Sequence, residues 1–453
     1  MIKVITYGTY DLLHYGHRRL LERAKALGDY LIVGVTSDDY DKTRGKINDK
    51  QSLMERMAAV KATGLADKII VEEYEGQKID DIKRYGVDIF TVGSDWEGKF
   101  DYLNKYCKVI YLPRTEGVSS TQLRSKENRL RLGIVGYVPF WTKIVRESGF
   151  VNGIQFAGIC VPKEDFGMVK GQAQNQGIEI NCLTDDYDEL LHNVDAVYVV
   201  SNPESHVCHI EKALENKKHV LCESPVAVTA GDSRRLFQLA ESQGCVLMDA
   251  VKTAYATAYE RVLLIAQSGR IGKVVSVDAT CTSLSDSLDI PEAEMKGKWN
   301  SISEWGPTAL LPVFQLLGTD YTHRVIVSHY MDHDKKYDGY TKIDFVYPHA
   351  TASIRVGKAA KSEGELIITG TKGYIYVPAP WWKTAYFEAR FENPQDNLRY
   401  FYQLDGEGIR YELVAFNRSI ETKKNGAYID EKVSSAISQV VQDCMEHREV
   451  IEI

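Results

Sequence analysis

The 453-residue chain has no apolar run near the roughly 20 residues that a membrane-spanning helix needs, so insertion into a bilayer is not expected. It has no surplus of basic residues either: 55 Lys and Arg stand against 63 Asp and Glu, a formal charge of −8. A nucleic-acid partner requires a positive footprint, so that class is set aside and any phosphate has to be held by a local group of cations. Cysteine is scarce and scattered. Cys107, Cys160, Cys182, Cys208, Cys222, Cys245, Cys281 and Cys444 fall at none of the spacings of a structural zinc site or a disulfide framework. Reduced thiols, and a first strand that starts at Ile2 with no leader before it, give a cytoplasmic protein as the expectation. With 44% hydrophobic and 26% charged residues, the composition is that of an ordinary folded chain, long enough for two or three domains.

What the sequence does contain begins at residue 8. Gly8-Thr9-Tyr10-Asp11-Leu12-Leu13-His14-Tyr15-Gly16-His17 follows the apolar run Ile2–Tyr7 and leads into a helical stretch, Arg18–Leu27. A strand that turns through glycine into a helix aims free N–H groups and the positive end of the helix dipole at one point, which suits phosphate. His14 and His17, three residues apart, fall on one face of the first turn. There they can donate to an α-phosphate and its leaving group as negative charge builds. Half of a metal site is the rival reading, but only Asp11 offers a third ligand.

A second motif changes the balance. After the apolar stretch Val109–Leu112 comes Pro113-Arg114-Thr115-Glu116-Gly117-Val118-Ser119-Ser120-Thr121, an arginine fork and a group of hydroxyls at another strand-to-helix junction. With Val4–Asp11, Leu20–Lys25 and Asp95–Asp101, these motifs resemble the glycerol-3-phosphate cytidylyltransferases of the nucleotidyltransferase superfamily over residues 1 to about 125. The resemblance implies attack of a phosphomonoester on the α-phosphorus of CTP, with release of pyrophosphate and Mg²⁺ bridging the phosphates. It implies that Thr9, His14, His17 and Thr121 contact the triphosphate and that Arg114 holds the nucleotide. Arg44 and Lys46 would close over the leaving phosphates, and Tyr10, Gly16, Thr115, Ser119 and Ser120 would complete the nucleotide site. Asp11, Asp95, Trp96 and Lys99 would border the acceptor, although Ser94 departs from an acidic pattern there. Arg56 stands at a family position, with a solvated arginine as the alternative. The polyol product would feed a surface polysaccharide or a teichoic-acid-like polymer.

Beyond the charged stretch Leu123–Arg131 the pattern restarts. Strand and helix alternate over about 120 residues, the signature of a doubly wound parallel sheet. After Tyr255 strand-like runs dominate. The expected fold is α/β: a Rossmann-like nucleotidyltransferase domain (1–127), a doubly wound dinucleotide-binding-type domain (128–253) and an α+β domain with an open antiparallel sheet (254–453). Ser201–His206, Cys222-Glu223-Ser224-Pro225, Ser268–Val274 and Gly370–Ile375 resemble the Gfo/Idh/MocA family of NAD(P)-dependent sugar oxidoreductases.

The departures from that family fall where chemistry would be. The glycine fingerprint keeps Gly136 but continues Tyr137-Val138-Pro139-Phe140-Trp141, with a Cβ where backbone approaches a diphosphate and an indole where helix meets strand. Val161-Pro162-Lys163 replaces the ribose-binding acid. Glu223 keeps its place but Ser224 takes that of the catalytic lysine, and Thr308 that of a histidine. Neither hydroxyl can shuttle a proton at neutral pH. Lys252 and Tyr255 are candidate replacements. Two readings compete: a reductase or dehydrogenase that makes the acceptor, or a fold that has lost hydride chemistry and serves binding or oligomerisation. Three broken motifs weigh toward the second. The aromatic segments Pro378–Trp382 and Tyr386–Phe391 suggest a homo-oligomer built on the open sheet.

Overall fold

Lys3-Val4-Ile5-Thr6-Tyr7-Gly8 is buried along almost its whole length, as a strand covered by helices on both faces is. It is β1, the centre of a parallel sheet whose order is β3 (Lys68–Glu72), β2 (Tyr30–Thr36), β1, β4 (Ile89–Gly93), β5 (Lys108–Leu112). Helices Tyr15–Lys25, Leu53–Ala62 and Gln77–Tyr85 connect these strands. Ser52 and Glu55 form a capping box at the start of the second, and Gly86 ends the third in the left-handed conformation. The structure, a computed structural model, describes residues 1–13, 15–37, 51–73, 76–113, 129–151, 153–284, 295, 299–402, 404–423 and 426–453, with backbone alone at 95 and 405. Contacts divide the chain into two units, Met1–Arg129 and Leu130–Ile453.

In the second unit a six-stranded parallel sheet has the order β11 (Leu247–Ala250), β10 (His219–Glu223), β9 (Ala196–Val199), β6 (Leu130–Val135), β7 (Ile154–Cys160), β8 (Leu183–Thr184). The chain begins this sheet at β6, builds outward through β7 and β8, and returns to β9 on the other side. That reversal opens a crevice at the carboxyl ends of β6 and β9.

The remaining strands form one nine-stranded sheet: β19 (Leu398–Phe401), β18 (Tyr386–Phe391), β17 (Gly373–Val377), β16 (Leu366–Gly370), β12 (Val274–Thr282), β15 (Thr351–Gly357), β14 (Asp338–Val346), β13 (His323–Tyr330), β20 (Val450–Glu452). It is mixed and not wholly antiparallel, because β12 pairs with β15, and β13 with β20, in parallel. Both exceptions join strands distant in sequence. Burial alternates along β14 and β15, so one face is free to take the helix Ser301–Leu317. No helix among the described residues is long and apolar enough to cross a membrane.

Candidate functional sites

In the first unit the sheet order reverses at β1, between β2 and β4, so the turn after Gly8 lies at the switch point where open α/β sheets bind ligands. This turn is strained: Tyr10 and Leu12 adopt positive φ of 56° and 47° without being glycine. Two contacts hold it. Asp11 Oδ1 accepts the Gln51 N–H at 3.1 Å, and the Leu12 N–H donates to Gln51 Oε1 at 2.8 Å. The helix Tyr15–Lys25 then starts, with Gly16 and His17 in its first turn.

The ring of Tyr10 lies edge-on to His17, centroids 5.5 Å apart at 68°. Tyr10 is itself buried, and burial pushes its phenol well above the ordinary range. The Tyr10 side chain is thus packed in the core against His17. Asp11, buried and bonded to Gln51, braces the turn.

Arg56 is the residue whose role the sequence left divided. It is wholly buried, which removes the solvated alternative. Its Nη1 donates to the carbonyls of Thr9 at 2.7 Å and Thr36 at 2.8 Å, and its Nε to that of Gln51 at 3.1 Å. One guanidinium thus ties the turn after β1, the end of β2 and the start of the next helix together at the mouth of the site. Below it lies a polar group that sequence reasoning missed. Thr36 Oγ1 donates to Glu72 at 2.9 Å, Lys78 is ion-paired with Glu72, and Tyr7 donates to Asp81 at 2.9 Å. Arg23 Nη1 donates to the Pro113 carbonyl at 2.7 Å, so the helix bearing His17 also holds the start of the second motif. Lys99 Nζ lies 5.0 Å from the Trp96 ring. His14, Arg44, Lys46, Arg114, Thr115, Ser119, Ser120, Thr121 and the Asp95 side chain lie outside the described residues.

The second unit holds a cleft of about 1250 Å³ at the reversal point of its parallel sheet, lined by Gly136–Phe140, Ser201, Glu223, Ser224, Lys252 and Trp305, among others. Gly136 has φ +92°, and a Cβ there would stand 2.4 Å from the Ser201 backbone. The glycine is required by the close approach of β6 to the segment after β9. Gly136→Ala is expected to destabilise this unit by about 2 kcal/mol or more, since strain of that kind costs 1–3 kcal/mol before any clash; thermal unfolding of the variant checks this. Trp141 does not obstruct the cleft. It is wholly buried, its indole N–H donating to Gln172 Oε1 at 2.6 Å, and it fills the space between helix and sheet that glycine would leave. In place and in room the cleft could take a nicotinamide dinucleotide, and Val138 and Pro139 line it where the family has a second glycine.

Of the replacement candidates, Lys252 and Glu223 line this cleft and Tyr255 does not. Tyr255 is buried, donates to the Asp249 carbonyl at 3.0 Å and packs on Tyr428. The tryptophans of the aromatic run are likewise not exposed: Trp381 is buried with its N–H on the Thr280 carbonyl at 3.0 Å, and Trp382 packs on Trp305 in the cleft wall.

A histidine-bearing helix at the switch point of one parallel sheet, followed by a cleft at the reversal point of another, defines a two-part α/β chain whose first unit is a nucleotidyltransferase. Residues 5–126 match the model of the cytidylyltransferase-like family, and residues 130–250 that of the GFO_IDH_MocA family, an oxidoreductase family with an NAD-binding Rossmann fold. The chain belongs to the cytidylyltransferase-like family through its first unit and carries a Gfo/Idh/MocA oxidoreductase domain in its second half.

The glycerol-3-phosphate cytidylyltransferase of Bacillus spizizenii is 51% identical over 124 residues, 27% of this chain and 95% of that protein. Its counterpart in Staphylococcus aureus is 46% identical over 126 residues, covering 28% and 95%. Among solved structures, a 3-ketoreductase from Actinomadura kijaniata in complex with NADP and TDP-benzene aligns with TM-score 0.61 at 19% identity, covering 72% of this chain and all of that one. UDP-N-acetylglucosamine 3-dehydrogenase from Acidithiobacillus ferrooxidans aligns with TM-score 0.57 at 16% identity, covering 71% and 98%. At such identities these two share the fold of the second unit.

Proposed function

We propose that the first unit transfers CMP from CTP to glycerol-3-phosphate or a closely related polyol phosphate, giving a CDP-polyol and pyrophosphate. The observation that carries this reading is the braced, strained turn that sets His17 at the switch point of β1. The acceptor phosphate oxygen attacks the α-phosphorus, a new P–O bond forms, and the bond to the β-phosphate bridging oxygen breaks as pyrophosphate leaves. His14 and His17 donate to the phosphate oxygens that gain charge. Arg114, Thr121, Lys46 and Arg44 hold the triphosphate, with Thr9, Gly16, Thr115, Ser119 and Ser120 around it. Mg²⁺ would enter with CTP as part of that substrate, and Asp95, Trp96 and Lys99 border the acceptor. The product serves as an activated donor for a surface polysaccharide. Pyrophosphate release tests the reading when CTP is compared with ATP, and glycerol-3-phosphate with phosphoethanolamine. Preference for CTP with a polyol phosphate supports it; preference for ATP overturns it.

For the second unit, one observation favours an active NAD(P)-dependent reductase over a retired fold: a lysine, Lys252, and a carboxyl, Glu223, both line the cleft where a dinucleotide fits. Gly136 and the turn after it would hold the diphosphate. A bound dinucleotide would supply hydride to a keto or aldehyde phosphate, yielding the polyol phosphate that the first unit consumes. Tethering would then raise the local concentration of the shared intermediate.

A homo-oligomer is supported by β19, an edge strand that leaves Phe401 73% exposed. Phe401→Asp is expected to shift the protein toward monomer in light scattering; an unchanged mass counts against this edge.

A further inference from the structure

The fold returns a lysine to the place where Ser224 lacks one. β10 and β11 run in parallel with Glu223 opposite Ala250, so Ser224 leaves one strand beside the point where Val251 and Lys252 leave the other. Among the described residues three lysines line the cleft. Lys358 is tied to Glu304 at 2.5 Å and to the Trp299 carbonyl at 2.7 Å, and Lys383 to Glu407 at 3.0 Å. Among the described residues Lys252 makes no ion pair; its Nζ lies 5.0 Å from the Phe140 ring at the turn after β6. Its backbone is fixed from behind, where Gly408, at φ +96°, leaves no room for a Cβ against the Lys252 carbonyl.

Beneath Lys252 sits a proton-sharing group. The Tyr198 hydroxyl lies 2.7 Å from Glu223 Oε1 and 2.7 Å from Glu412 Oε1. A phenol has one proton to donate, so at one of these contacts its oxygen accepts, and that carboxyl carries a proton. Glu412 is the stronger candidate: it is wholly buried, and burial followed by the charge of Glu223 pushes it well above the carboxylate range. Burial raises Glu223 as well, though less far, and the charge of Lys252 draws it back down, so the end of the row nearer the cleft wall is the one that ionises more readily. Asp249, bonded by the Ser434 hydroxyl at 2.6 Å, adds a further buried acid to the same floor.

We propose that Lys252 is the acid–base residue of this cleft, doing at the neighbouring strand what Ser224 cannot, with the Glu223–Tyr198–Glu412 row as its positioning group. The inference rests on the reductase reading of the second unit. Hydride from a reduced nicotinamide dinucleotide forms the new C–H bond at the substrate carbonyl carbon, and the C=O π pair moves to oxygen. A Lys252 N–H bond breaks as the O–H bond forms, leaving a neutral amine that recovers its proton from water in the open cleft. In the reverse direction the amine takes the hydroxyl proton.

The test uses the full-length protein. Calorimetry with NADPH and NADH first examines the reading itself: if neither binds the wild type, the reductase reading and this inference fall together. Dinucleotide binding in wild type and in Lys252→Met alike, with reduction of dihydroxyacetone phosphate lower in the variant by about 10²–10⁴-fold, is the expected result. A Lys252→Met variant that retains the wild-type rate overturns the inference and leaves the reading standing. Contact is read independently by reductive methylation and mass spectrometry, with NADP⁺ and glycerol-3-phosphate as the probe. Lys252 is expected to be protected by the pair, and equal labelling with and without them overturns the proposal. Tyr198→Phe breaks the row but keeps the lysine. It is expected to move the pH–rate profile while leaving KM near its original value, and an unmoved profile removes the row from the account.

Discussion

Alanine at His17 is expected to slow CMP transfer by about 10²–10³-fold, the loss that follows removal of one donor to a developing oxyanion and equivalent to about 2.7–4 kcal/mol of transition-state stabilisation. The loss should fall on kcat more than on KM for CTP, because the imidazole acts where charge appears during the reaction and not where it already stands. The fold should survive, since His17 is only half-buried on the first turn of its helix. His14, three residues earlier, is expected to give a loss of the same order. The local strain at Tyr10 and Leu12 gives the His17 effect its sharpness: a turn over-determined by Gln51 and Arg56 presents the imidazole in one orientation against the Tyr10 ring. Pyrophosphate release in single-turnover conditions measures it. A His17→Ala enzyme working at nearly the wild-type rate would falsify the role assigned to this residue.

Arg56 should be the most damaging position outside the phosphate contacts. Arg56→Met removes the donor from the carbonyls of Thr9, Thr36 and Gln51 at once, and each unsatisfied buried group costs about 1–3 kcal/mol. A loss of about 3 kcal/mol or more in the stability of the first unit is expected even when the three terms are not additive. CMP transfer should fall with it, since the Thr9 carbonyl belongs to the turn that presents His17. Arg56→Lys keeps the charge but not the planar fork, so it should rescue stability in part and geometry less. Thermal unfolding of both variants, followed by signals that separate the two units, gives the answer; wild-type melting in Arg56→Met would contradict the structural role.

Much of this was legible in the sequence because local chemistry and fold agree there. The apolar run Ile2–Tyr7 becomes the strand Lys3–Gly8, the helix expected at Arg18–Leu27 runs from Tyr15 to Lys25, and strands and helices alternate from Leu130 onward as the pattern suggests. Three features were hidden for physical reasons. The helix Ser301–Leu317 contains Pro307 and Pro312, which read as breakers, yet its Asn300–Ser303 capping box and its burial against β12, β14 and β15 override them. Trp381 stands in a proline-rich aromatic run that suggests an oligomer surface, although it is buried with its N–H bonded to a sheet carbonyl. Glu412 carries no local signal at all. Its partner Tyr198 stands 214 residues away, and only the tertiary fold brings this buried carboxyl beneath the cleft. At the sites, residue type pointed to Lys252 and Tyr255 equally; burial separates them, placing one in the cleft wall and the other in the core.

The most direct test of the central claim is phosphorus NMR of the full-length protein incubated with CTP, Mg²⁺ and glycerol-3-phosphate. Loss of the α-, β- and γ-phosphate signals of CTP, with the growth of a coupled diphosphate pair and of free pyrophosphate, is the result the account predicts. Release of inorganic phosphate from the γ position, with no new diphosphate ester, would contradict it.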